Sequence, residues 1–234
     1  MLNQVQHDVI MRIDIISAVP QLLKSPLTES ILKRAQEKKL VEIVVHDLRS
    51  FTHDKHKIVD QPPYGGGAGM ILKPEPIFEC IELLKSEREY DEIIYVSADG
   101  EKFNQKKAND LSLKKNLIIL CGHYKGVDER VRQTLITREI SIGDYVLTGG
   151  ELAAMVITDA IVRLIPGAIS DAESSLSDSF QDGLLDAPSY TRPPEFRGMK
   201  VPDILLSGNH KEVALWREVQ RKEKTKKRRK DLLK

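Results

Sequence analysis

The chain has 234 residues, 41% hydrophobic and 30% charged, a globular balance that excludes a disordered chain. No apolar run approaches the ~20 residues of a membrane-spanning helix, and the two cysteines, Cys80 and Cys121, form no C-x-x-C pair and fit a reducing, cytoplasmic setting. The formal net charge of +1 hides an asymmetry: Arg217 to Lys234 carries ten Lys/Arg against three Asp/Glu, a net of +7, which leaves −6 on residues 1–216.

Taken in chain order, residues 1–10 lack the positive and apolar regions of a signal peptide. Arg12 to Ala18 reads as a strand, Gln21 to about Lys39 as a helical stretch, and Val41 to Val45 as a second strand. After a long polar loop come a helix near Pro76 to Arg88, a strand Glu92 to Val96, a short helix near Gln105 to Leu113, and a strand Leu117 to Leu120. Strands alternating with helices imply parallel βαβ units, so the fold class is α/β with helices on both faces of a parallel sheet. Such sheets bind ligands in loops beyond the carboxyl ends of their strands. Three loops of that kind carry glycine: Ser97 to Gly100, Cys121 to Gly126, and Ile142 to Gly150. Glycine either makes the turn there or lets backbone approach a ligand closely. Gly167 to Ser179, rich in Ser, Asp and Ala, reads as a flexible linker. Beyond it, Tyr190 to Glu195 is irregular and Asn209 to about Arg229 is a helix ending in the basic run, so a small C-terminal helical domain is expected. The tail suits a nucleic-acid or membrane partner, or is a solvated helix end.

Several familiar sites are absent by inspection. No G-x-G-x-x-G follows a strand, and neither a P-loop nor H-E-x-x-H occurs. His53-Asp-Lys-His56 lacks a third ligand at metal-binding spacing and reads as a polar loop, so no residue is assigned to a metal. Pro63 to Met70 holds four glycines in five positions. It is either a mobile loop or a concave backbone site for a phosphate or a base edge.

Val59-Asp60, Tyr64-Gly-Gly-Gly-Ala-Gly-Met70, Ser141 to Glu151, Asp178-Ser-Phe180 and Gly183 to Asp186 resemble the signature segments of the bacterial tRNA (guanine-N1-)-methyltransferases, the TrmD family of the SPOUT superfamily. So do Tyr190 to Pro193, Val201 to His210 and Trp216-Arg217, and the resemblance runs in order from Met11 to about Arg217. It implies a SPOUT-type parallel sheet with a deep trefoil knot, a rare exception to the rule that chains do not thread loops. The implied domains are an N-terminal extension without a structural role at 1–10, ahead of Met11 where the family usually begins, a knotted methyltransferase domain at 11–167, a linker at 168–180 and a tRNA-binding helical domain at 181–234. The implied activity is transfer of a methyl group from S-adenosylmethionine to N1 of guanosine at position 37 of tRNA, by a cytoplasmic homodimer with shared active sites. By position, Gly122, Tyr124, Gly126, Ile142, Gly143, Asp144, Tyr145, Val146, Leu147, Gly149 and Gly150 would bind the cofactor, with Asp178 as the base and Arg163 as the cation near O6. Magnesium is a further family expectation. Where the family often has Arg-Tyr-Glu-Gly, however, this chain has His123-Tyr124-Lys125-Gly126, and Lys125 cannot coordinate the ion. The competing readings are a SPOUT methyltransferase for another RNA nucleotide and an RNA-binding module without catalysis.

Overall fold

The computed structural model describes residues 11–169 and 178–233. The expected extension at 1–10 and most of the expected linker lie outside the described residues. The chain divides into two compact units, one up to residue 170 and one from 171 onward. Among the described residues no helix is long and apolar enough to cross a membrane.

The first unit is built on five parallel strands in the order β2-β1-β6-β5-β7: β1 (Met11–Ser17), β2 (Val41–Asp47), β5 (Glu92–Lys102), β6 (Asn116–Cys121) and β7 (Arg138–Ser141). Two short strands, β3 (Asp60–Gln61) and β4 (Ile71–Leu72), pair separately. Successive side chains of a strand point to opposite faces, and both faces here are covered. Leu117, Ile119 and Cys121 of β6 therefore join one core, with α1 (Gln21–Leu27), α2 (Ser30–Glu37), α4 (Gln105–Ser112) and α6 (Glu151–Val162). Ile118 and Leu120 join the other, with α3 (Pro74–Glu87) and α5 (Glu129–Thr134). That is why the strand reads as an unbroken apolar run.

Two sequence expectations need correction. The helical stretch from Gln21 to Lys39 is two helices. Pro26, inside α1, has no N–H to continue the ladder, and the chain turns at Thr28 before Ser30, whose φ is +51°. Ser97 to Gly100 is not a loop after a strand. β5 continues through it to Lys102, and its register against β7 shifts between Val96 and Glu101, so these residues form a bulge over β7. The strand β7 and the helix α5 had no clear periodic signal, each being only four to six residues long.

In the second unit Tyr190 to Pro194 is irregular, as expected, and leads into a two-stranded ribbon, β8 (Glu195–Phe196) with β9 (Met199–Lys200). It continues into the short helix α7 (Asp203–Leu206) and the 19-residue helix α8 (His210–Arg228). Asn209 caps α8 by accepting from the Glu212 N–H.

Candidate active site

A cavity of about 220 Å³ opens at the carboxyl ends of β5, β6 and β7, where a parallel sheet presents ligand-binding loops. Its walls are the β5 bulge, the loop 122–127 after β6 and the loop 141–150 after β7. The two loops are stitched together: the Gly150 N–H donates to the Gly122 carbonyl at 2.6 Å, and His123 pairs with Gly149 as an isolated antiparallel bridge. A Cβ on Gly150 would lie 2.8 Å from the backbone nitrogen of Gly122, so no larger residue fits this approach. On its other side the first loop is tied to the Tyr64–Met70 glycine segment, since the Lys125 N–H donates to the Met70 carbonyl at 3.0 Å.

Ten of the eleven residues expected to bind the cofactor line this one cavity: Gly122, Tyr124, Gly126, Ile142, Gly143, Tyr145, Val146, Leu147, Gly149 and Gly150. Asp144 does not. Its exposed carboxylate turns away to accept from Lys102 at 2.6 Å. Arg163 and Asp178 belong to different units. Arg163 is the half-buried residue that ends α6, its N–H donating to the Asp159 carbonyl at 3.1 Å. The cavity lies at the opposite, N-terminal end of the same 12-residue helix, about 18 Å away at 1.5 Å per residue. Asp178 is half-buried, and its carbonyl accepts from the Gln181 N–H.

The sequence marked Asp99 only as part of the Ser97–Gly100 segment and did not single out Tyr95 or Arg132, which line the same wall. Tyr95 is buried, and burial is the largest influence raising its hydroxyl above the ordinary tyrosine range. Its hydroxyl fills the space a Cβ would need at Gly122, at 2.9 Å, which gives that glycine a steric reason. Arg132 lies 5.7 Å from the Tyr95 ring centroid, grips Glu139 with two bonds of 2.8 Å and donates to Asp99 at 3.2 Å. Tyr95 and Asp99 come from β5, Arg132 from α5 and its partner Glu139 from β7, and only folding brings them together.

The backbone N–H and C=O groups that glycine leaves accessible can read the polar edges of an adenosine-like ligand. The described wall does not fit magnesium. Asp99 is paired with Arg132, Lys125 is cationic, and among the described residues no three His, Cys, Asp or Glu side chains converge as ion ligands.

The chain matches the family model described as tRNA (Guanine-1)-methyltransferase TrmD over residues 11–234. It is 61% identical over 223 residues to a tRNA (guanine-N(1)-)-methyltransferase of Bacteroides thetaiotaomicron, covering 95% of this chain and 99% of the relative. An Azobacteroides pseudotrichonymphae protein of the same name is 63% identical, covering 95% and 100%. The protein of that name from Chlorobaculum tepidum is 56% identical, covering 95% and 97%.

Proposed function

The chain belongs to the tRNA (guanine-1)-methyltransferase family, and on that premise we propose that its strand-end cavity holds S-adenosylmethionine inside a deep trefoil knot while the second unit supplies the base. The protein is a methyltransferase that modifies N1 of guanine in tRNA. The nucleotide is guanosine 37, and the enzyme works in the cytoplasm as a homodimer. The observation that carries the cofactor reading is the convergence of two glycine loops, 122–126 and 142–150, on one cavity at the carboxyl edge of a parallel sheet. The direct bond between Gly150 and Gly122 also fits a knot, because it draws together segments on either side of α5 and β7.

S-adenosylmethionine supplies an electrophilic methyl group, so the tasks left to the chain are alignment and proton removal. The loop backbones align the donor. Guanine N1 carries a proton that must leave, and Asp178 accepts it. A carboxylate with a reference pKa of ~3.9 is a weak base for so weak an acid, so the negative charge developing on O6 has to be offset. Arg163, a permanent cation, offsets it.

Two features support a dimer with shared sites. Arg163 lies a helix length from the cavity of its own subunit, so it serves the cavity of a second copy. On α6, Leu152 and Val156 are half-exposed one turn apart, and on the preceding loop Val146 is 87% exposed. An apolar face of this kind is what a subunit interface buries.

The test is transfer of a labelled methyl group to two tRNA transcripts, with guanosine or adenosine at position 37. Only the guanosine transcript should be modified, and Asp178→Ala should lose about 10²-fold or more in kcat. Equal labelling of both transcripts, or full turnover by Asp178→Ala, would overturn the reading.

A further inference from the structure

At the back of the cavity the two loops close on a pair of side chains, His123 and Glu151, that play no part in methyl transfer as proposed. Glu151, the first residue of α6, is 1% exposed. Its Oε1 accepts the Ser17 hydroxyl at 2.7 Å, whereas its Oε2 is enclosed and has no hydrogen-bond partner among the described residues. Facing Oε2 at 3.7 Å is Nδ1 of His123, likewise enclosed and without a hydrogen-bond partner. The Gly149 backbone fits against both, for a Cβ there would meet Nδ1 at 2.5 Å and also collide with Oε2.

Two enclosed polar atoms left unbonded are costly, and a small approach that lets one donate to the other relieves both. In a bond between the two, the imidazole N–H donates and the carboxylate oxygen accepts, so the proton belongs on Nδ1. Cys121, which also feels Glu151, stays a neutral thiol because burial, and then the Glu151 charge, raise it well above the ordinary thiol range. A neutral imidazole protonated at Nδ1 carries its lone pair on Nε2 and can only accept there. His123 lines the cavity. With its Nδ1 edge enclosed, the accessible part of the ring is the edge that bears Nε2.

We infer that Glu151 is a positioning residue holding His123 by Nδ1, so that Nε2 accepts a hydrogen bond from a hydroxyl or amino group of the S-adenosylmethionine bound in the cavity. This deepens the cofactor reading and rests on it. It also gives a role to a buried carboxylate that does not itself line the site: it acts through the ring it orients.

Titration calorimetry of the full chain with S-adenosylmethionine tests it. His123→Asn keeps an amide near Nδ1 but loses the Nε2 edge; His123→Gln keeps an acceptor near Nε2 but loses the contact with Glu151. His123→Asn should weaken binding about tenfold, His123→Gln about threefold, and Glu151→Gln about fivefold, as expected for single hydrogen bonds. Glu151→Gln should cost nothing further in the His123→Asn background, because its effect passes through the ring. In the transfer assay the losses should appear in KM for the donor rather than in kcat. If His123→Gln is the weaker binder, or the three single variants bind like the wild type, the pair only fastens the loops and the inference fails. Should Glu151→Gln not fold, the order of the two His123 variants decides. A wild-type chain with no affinity for S-adenosylmethionine would overturn the cofactor reading itself, and the inference with it.

Discussion

Asp14 is fully buried in the middle of β1 and remains ionised because its surroundings supply every hydrogen bond it needs. It accepts from Arg12 at 2.8 and 2.7 Å, from His46 at 2.6 Å and from the Tyr90 hydroxyl at 2.7 Å. Burial, the largest influence, pushes its pKa up, but the bonds from His46, Arg12 and Tyr90 together outweigh it and bring the carboxyl down to about 2. A carboxylate whose pKa is lowered by folding stabilises the protein above its unfolded value and loses that contribution as pH falls through the folded one. The chain should therefore lose about 2 kcal/mol of stability from this site between roughly pH 4 and pH 2, as read from urea unfolding across that range. Asp14→Asn should flatten this part of the profile and cost about 3 to 5 kcal/mol at neutral pH, since it leaves Arg12 buried without its main partner. Nothing in the local pattern revealed this network, because Tyr90 lies 76 residues away and His46 lies 32 residues away. Gly150 is the opposite case, visible in the sequence as part of a glycine pair but explained only by the fold. Gly150→Ala would push a methyl into the Gly122 backbone, and calorimetry should show cofactor affinity reduced by more than about tenfold, as a 1 Å displacement at a binding loop commonly causes.

At the scale of the element, the helix α8 changes what the basic tail means. The run from Arg221 to Lys230, eight basic residues interrupted by Glu223 and Thr225, reads as one basic stretch in sequence, yet the structure divides it. Arg221 pairs with Asp182 at 2.5 Å, Lys224 donates to the Asp186 carbonyl at 2.8 Å, and buried Thr225 accepts from the Leu185 N–H at 2.9 Å. These three residues dock the helix onto the 182–186 segment of the same unit. Lys226, Lys227 and Lys222 are not engaged in that docking, and Lys222 pairs with Glu218, one turn back on the same helix. Replacing Lys226, Lys227 and Arg228 by Gln should therefore lower the salt dependence of tRNA binding by a slope of about 2, with little change in Tm. Binding measured at several salt concentrations checks it. Thr225→Val should do the reverse, lowering Tm while leaving the slope near its original value. Charge composition located the tail, but the division into gripping and docking residues depends on which face of the helix meets the 182–186 segment.

For the whole molecule, the separation of Arg163 from the cavity of its own subunit leads to a test of shared sites. A variant lacking Arg163, Arg163→Ala, and a variant with a blocked cavity, Gly150→Ala, should each be nearly inactive alone. Mixed so that subunits exchange, they should recover up to about a quarter of wild-type turnover, because a mixed dimer contains one site with both parts intact. Recovery should disappear with Leu152→Asp added to both, which places a charge on the apolar face of α6 and should shift sedimentation to the monomer. Much of this molecule was already legible in the chain of residues: the α/β class from alternating apolar runs, the loops at the strand ends, the family from ordered segments, and the charge asymmetry. Each of these is carried by neighbours in sequence or by residue type alone. The bulge in β5, the break between α1 and α2, the outward turn of Asp144 and the meeting of Ser17, His123 and Glu151 were decided by tertiary structure. Ser17 and Glu151 are 134 positions apart, and a contact between such distant residues leaves no periodicity behind; it exists only once both faces of the sheet are packed and the strand-end loops are drawn together.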